Sequence, residues 1–378
     1  MSNSAKLLVT GDFCPIHRVA EQLAPGGEAG VFGGLLPVIR EADLAVTNLE
    51  CPLAGPQGRA ISKTGPAMRA KPEAAGLLKR AGFDLVTLAN NHIMDYGPEG
   101  LHDTLEALQA EGVAWVGAGE NYQQASAPYR IRRGGLQLAL LNVAENEWST
   151  TTGREPGAHP LDPVRNAQRI REAREEADVV IAISHGGHEH YELPSPRMKE
   201  LFRFFIEQGA DAVVNHHTHC VSGYERYRGK PIFYSLGNFV FDLPGRRNAP
   251  WNTGLAVLLD VSAAGVDFEL IPFDQCDEQA GIVLQEGRSR ETTLNHLEVL
   301  NAIIQDDEQL QDRYRAFCRR SAKLYNAYIE PHSNRYVHAL RNRGFLPSLL
   351  SRRKRRLLLN LVRCEAHRDV LIETLRDA

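Results

Sequence analysis

Three histidines stand within four positions, His216, His217 and His219, at the end of the short apolar run 211–215. Strand geometry sends residues two apart to the same side, so His217 and His219 are expected to offer two imidazoles to one small volume just past a strand end. Such a pair begins a metal site only if the chain brings other ligands to the same place. Four further apolar runs end in residues able to bind a metal: Asp12, Glu50, Asn91 with His92, and His185. Mixed oxygen and nitrogen donors suit borderline divalent cations such as Mn²⁺, Fe²⁺ or Zn²⁺. Two neighbouring cations need a bridging carboxylate, for which Asp12 and Glu50 are the candidates. Taken singly, each residue has a plainer role: Asp12 capping a turn, Asn91 holding a left-handed position, His185 satisfied in a core. Taken jointly, the plainer roles require five coincidences.

The elements that must position these residues follow from hydrophobic period and turn residues. Strands are predicted at 6–10, 43–48, 83–89 and 113–116, alternating with helices at 34–41, at 72–81 and, led into by 95–100, through about 111. A hairpin over 129–133 and 136–142 follows, then a helix at 163–177, an apolar strand at 179–184, a helix at 196–208 and the strand before the histidines. Strands at 231–236 and 239–241 and a closing hairpin over 253–261 and 266–272 complete the set. Content this mixed predicts an α/β fold of two packed mixed sheets with helices outside, rather than one doubly wound sheet. Beyond about residue 276 the strands are expected to stop, with helices at 291–304, 308–328, 334–341 and 347–376. The chain therefore divides into a main domain, 1–275, and a helical C-terminal extension, 276–378.

Composition narrows the function classes. The 378 residues carry a net charge of −4, which excludes a globally basic nucleic acid binder. Six scattered cysteines, with no CxxC pair, argue against a zinc ribbon or a disulfide framework and for a reducing compartment. The first ten residues lack the pattern of a signal peptide or anchor, and no run approaches a membrane span. A cytoplasmic protein is the expectation.

Motifs in order then carry a resemblance: Gly11-Asp12, Asn48-Leu49-Glu50, Ala89-Asn90-Asn91-His92 with Asp95-Tyr96-Gly97, His185-Gly186-Gly187-His188-Glu189, Gly209-Ala210-Asp211 through His219, and Tyr234-Ser235-Leu236-Gly237-Asn238-Phe239. Over about residues 6–275 the chain resembles the CapA, or capsule and poly-gamma-glutamate synthesis, family of the calcineurin-like metallophosphoesterase superfamily. The resemblance implies the αββα fold of that superfamily and two divalent cations. It implies that Asp12 binds one metal, that Glu50 bridges both, that Asn91, His185 and His217 bind the second, and that His219 returns to the first. His92 would steady phosphoryl oxygens or protonate a leaving group, with Asp95 orienting it. His188, Glu189 and His190 would lie near the site mouth, with Glu189 orienting His185, His217 or a substrate. The superfamily's first motif usually has a histidine two residues after its aspartate; here that position is Cys14, so the first metal is held weakly, by the thiolate, or not at all.

The function this implies is metal-assisted hydrolysis or transfer at a phosphate ester, on a phosphorylated small molecule, glycan or lipid-linked substrate, in synthesis of a capsule, polyglutamate or other surface polymer. The alternative is a catalytically idle assembly or binding factor for such a synthesis complex. Lys63, Arg69 and Lys71, in or beside the loop after Glu50, would meet an anionic substrate or simply solvent, and solvent is preferred. In the tail, Arg352, Arg353, Lys354, Arg355 and Arg356 lie between apolar stretches, as a helix on the inner, anionic face of a membrane requires. A helix packed on the main domain with its arginines in solvent meets the same pattern and is preferred.

Overall fold

The structure, a computed structural model, describes residues 3–63, 65–151, 153–329, 336, 340, 343–345 and 351–376. Its first sheet runs Ile282–Leu284, Gly265–Gln275, Thr253–Ser262, Ser4–Cys14, Leu44–Leu49, Leu85–Thr87, Ala114–Val116, and Asn238–Phe241 pairs with the far end of Ser4–Cys14. The strands from Ser4–Cys14 to Ala114–Val116 are parallel, and the Thr253–Ser262 side is antiparallel. The second sheet runs Tyr224–Tyr227, Lys230–Phe233, Ala212–His216, Val179–His185, Leu136–Ala144, Tyr129–Arg133, with a parallel centre and an antiparallel pair at each edge.

Side-chain alternation decides how the sheets stack. Leu7, Val9, Leu44 and Val46 point from the first sheet into one core with Leu138, Leu140, Ile181 and Val213 of the second. Leu8, Ala45 and Val86, one residue out of phase, pack instead with Leu77, Leu78, Leu101 and Leu108 from the helices Ala74–Ala81 and Gly97–Glu111. Ile170 and Ala173 of Pro163–Glu176, and Phe202 and Phe205 of Pro196–Glu207, join the second sheet's core. The order is thus helix, sheet, sheet, helix. Burying a side chain such as Leu is worth about 2 kcal/mol, and a one-residue slip would turn every member of a strand to the wrong face, so the register is strongly held.

Local chemistry starts the helices where expected. Pro163 and Pro196 occupy first turns, the Asp162 side chain accepts from the backbone N–H groups of Val164 and Arg165, and that of Ser195 accepts from Met198.

Three expectations change. The first strand does not break at Gly11 but continues to Cys14, because Asn238–Phe241 pairs with its end. A Cβ on Gly11 would lie 2.0 Å from the carbonyl oxygen of Gly237, so only glycine permits the approach. Strands also do not stop at 276: Ile282–Leu284 pairs with Phe273–Gln275 as an edge strand. The tail's last helix is two, Arg352–Arg363 and Glu365–Arg376, separated by Cys364 in an extended conformation. The helix expected at 334–341 lies, apart from residues 336 and 340, outside the described residues, as do 346–350.

The helices Gly287–Gln305 and Asp307–Ile329 pack on the second sheet's side, with Leu297, Leu300, Ile304 and Tyr314 in its core. In Arg352–Arg363, Leu361 is buried and Leu357 and Leu358 are half-buried against that core, while Arg352, Arg353, Arg355 and Arg356 are exposed. No helix among the described residues is long and apolar enough to cross a membrane.

Candidate metal centre

Carboxyl ends of strands from both sheets meet at one buried place. Asp12 comes from the first strand, Glu50 from just past Leu44–Leu49, His185 from the end of Val179–His185, and His217 and His219 from the turn after Ala212–His216. The backbone at His217 and His219 is left-handed, with φ of 95° and 56°. Strand alternation therefore does not explain why both rings face the centre; two strained residues in a turn do, a conformation that persists only when surroundings impose it. Asn215 helps impose it, its amide donating at 2.9 Å to the carbonyls of both Gly186 and Tyr234.

Two groups of ligand atoms result. Glu50, His185 and His217 form one, and Asp12, Glu50 and His219 the other; within each, the atoms lie within 4.8 Å of one another. Asn91 joins the first group, its Oδ1 lying 3.1 Å from His185 Nε2. Glu50 Oε1 is 3.8 Å from His185 Nε2 and 3.6 Å from His219 Nε2, and Asp12 Oδ2 is 3.6 Å from His219 Nδ1. Both oxygens of Glu50 are buried and accept no hydrogen bond from the described residues. A buried carboxylate without a donor is costly unless a cation meets it, so the residues fit a pair of divalent ions sharing Glu50.

Electrostatics say the same. Burial, then the charge of Asp12, pushes the Glu50 carboxyl well above its ordinary range, and burial raises Asp12 despite His219 beside it. Burial, then His217, drives His185 well below the usual imidazole range, and burial lowers His219. Neutral imidazoles are the form that binds metal.

Comparison with known proteins shows the family. The description "Bacterial capsule synthesis protein PGA_cap" matches residues 6–243. The chain belongs to the PGA_cap family. It is similar to the capsule biosynthesis protein CapA of Bacillus anthracis, 32% identical over 62% of this chain and 59% of that one. It is also similar to the PGA biosynthesis protein CapA of Bacillus subtilis, 33% identical over 60% of each. A probable polyglutamine synthesis accessory protein of Mycobacterium tuberculosis is 28% identical over 57% of this chain and 60% of its own. The chain thus spans less than two thirds of the length of these relatives.

Beside the centre of this PGA_cap protein, His92 Nδ1 lies 2.6 Å from Asp95 Oδ2. That oxygen also accepts from Met68 N at 2.7 Å. Lys63 forms an ion pair with Asp95, and its Nζ is 3.1 Å from His92 Nδ1. With Nδ1 committed to Asp95, Nε2 is the nitrogen left to His92 for proton transfer. Lys63 was expected in solvent; its side chain is 3% exposed. Nothing in its spacing signals this. Arg69 does lie at the surface, over the Tyr96 ring, and Lys71 is exposed.

The structure narrows the expectations for Glu189 and Cys14 and overturns that for His188. Glu189 is exposed at the rim and hydrogen-bonds to neither His185 nor His217, though His219 and His217 outweigh its partial burial and hold its carboxyl low. The orienting contacts come from two asparagines that residue-type reasoning passed over. Asn48 Nδ2 donates to Asp12 Oδ1 at 2.7 Å and lies 3.3 Å from His185 Nδ1; Asn238 Oδ1 is 2.9 Å from His219 Nδ1. Their signal was their place inside the repeated strand-end motifs. His188 is not at the mouth: it is buried, 3.2 Å from Tyr314 Oη, and stacked on Tyr314 and Phe317 of the tail. Cys14 faces Cys51 and belongs to neither ligand group, so no thiolate replaces the missing histidine.

Proposed function

We propose that this protein hydrolyses or transfers a phosphate ester in the synthesis of a bacterial surface polymer, capsule or polyglutamate. Two divalent cations, of the Mn²⁺, Fe²⁺ or Zn²⁺ class, would be held by Asp12, Glu50 and His219 and by Glu50, Asn91, His185 and His217, and would supply Lewis acidity at phosphorus and a nucleophile from water at neutral pH. Asn48 and Asn238 orient the donors, so little reorganisation accompanies binding. His92 Nε2 delivers a proton to the departing oxygen, and Asp95, pinned by Lys63, keeps the ring turned. Glu189 at the rim is placed to meet a substrate hydroxyl or amine rather than a phosphate.

The observation that carries this reading is Glu50, buried, without a hydrogen-bond donor among the described residues and common to both donor groups. Elemental analysis together with hydrolysis of aryl phosphate mono- and diesters tests it. Two metals per chain are expected, with turnover that falls by about 10²–10⁴ in His92→Ala. Metal-loaded protein without His92-dependent turnover would overturn it.

One observation favours a second reading, an idle assembly or binding factor: Cys14 leaves the Asp12, Glu50 and His219 group with three protein ligands. One metal or none per chain, and no turnover, is its expected result.

A further inference from the structure

A second set of metal-binding side chains lies where the C-terminal helices meet the main domain. Glu147, in the loop after Leu136–Ala144, converges with Cys364 and His367, their ligand atoms all within 4.8 Å of one another. Cys364 is the extended residue between Arg352–Arg363 and Glu365–Arg376, and His367 follows one turn into the latter. The spacing Cys-x-x-His at a helix start puts both side chains on one face. Thiolate, imidazole and carboxylate together, three protein ligands with a fourth position open, is a donor set that suits Zn²⁺.

The supporting contacts are those a metal site needs. His367 Nδ1 lies 2.7 Å from Tyr325 Oη, which fixes the ring and leaves Nε2 for a metal, the usual second contact of a ligating histidine. Cys364 is buried and free, its Sγ 3.9 Å from Glu145 Oε2. Glu147's carboxylate has no hydrogen-bond donor among the described residues, and its nearest cation-forming neighbour is His217, 3.9 Å away. The junction is held in place independently of any ion. Glu365 accepts from Asn146 N and Nδ2 at 3.0 and 2.7 Å, and Arg363 donates to Thr150 at 3.3 Å. Positions held by neighbours lose little freedom on binding a metal.

We propose that Glu147, Cys364 and His367 bind one Zn²⁺ ion that clips the C-terminal helices to the loop beside His217. On binding, the Cys364 thiol gives its proton to solvent and its sulfur takes up the metal. Cys364 and His367 lie outside residues 6–243, the region matched to the family, so the clip belongs to this chain's extension. It does not depend on catalysis at the centre.

Cobalt(II) titration of the whole 378-residue chain tests it, because a cobalt–thiolate bond gives a near-ultraviolet charge-transfer band that oxygen and nitrogen donors do not. The band is expected in the unaltered protein, absent in Cys364→Ser and retained in Cys14→Ser. No band in the unaltered protein, or a band that survives Cys364→Ser with the far-ultraviolet dichroism of a folded chain, overturns the proposal. Should Cys364→Ser not fold, His367→Gln decides: cobalt affinity read from the band falls at least about tenfold, and unchanged affinity refutes the site.

Discussion

Lys63 and Asp95 form an ion pair whose side chains are 3% and 0% exposed, and the same carboxylate receives His92. Removing one member of a buried pair leaves the other charge uncompensated, at a cost of about 3–5 kcal/mol. Lys63→Met is therefore expected to lose stability near the lower end of that range, since His92 and Met68 N still face Asp95. Urea unfolding measures this. A loss below about 1 kcal/mol would mean that the lysine does not hold Asp95 in solution.

Glu50→Gln is expected to act with opposite sign in the two metal states. In chelated protein it stabilises, because the buried carboxyl and its neighbour Asp12 no longer compete for charge. A carboxyl pKa raised on folding contributes stability that is whole below the ordinary glutamate range and lost as pH rises through the folded value. Glutamine removes that slope. With saturating Mn²⁺ or Zn²⁺ the substitution destabilises, since an ion at a hundred times its Kd adds about 2.7 kcal/mol to the native protein. Thermal unfolding with chelator and with metal checks both signs.

Acid sensitivity has an identified source away from the centre. His159 is buried, its Nδ1–H donates to the Asn142 carbonyl at 3.0 Å, and Asn166 Nδ2 donates to its Nε2 at 3.1 Å. Burial lowers the imidazole to about 4, so below the unfolded value of about 6.5 the unfolded chain takes the proton first. Its contribution is whole above that pH and is lost as pH falls toward 4, by about 3 kcal/mol in all. The difference between unaltered protein and His159→Gln, followed by denaturant midpoint from pH 7 to 4, should narrow by most of that amount.

Arg197 ties the tail to the site. It pairs with Glu145 at 2.6 Å and with Asp369 of the last helix, and Glu145 Oε2 in turn accepts from Gly187 N at 3.0 Å. Arg197→Met strands a buried Glu145 and frees the helix, at about 2–3 kcal/mol. Limited proteolysis should then cut within 351–376 faster than in the unaltered protein, while the main domain resists; equal rates would show the helix held by other contacts.

Much of this molecule was legible in local pattern. Runs such as 179–184 and the Pro163 and Pro196 helix starts depend on neighbours in the chain, and so do the strand ends that bear Asp12, Glu50 and His185. Period and turn chemistry were enough to read them. What local pattern did not carry was decided by contacts between residues far apart. Ile282–Leu284 became a strand because Phe273–Gln275 offered it an edge. Lys63 was withdrawn from water because Asp95 lay opposite, and His188 turned from the mouth because Tyr314 and Phe317 offered it a stacked, buried place. His217 and His219 reached the centre through left-handed backbone that strand period does not predict. Residue types and their order determined which atoms could bind a metal; only the packing of two sheets and a helical tail decided which of them share one buried volume, because burial and pairing energies exist only once distant segments meet.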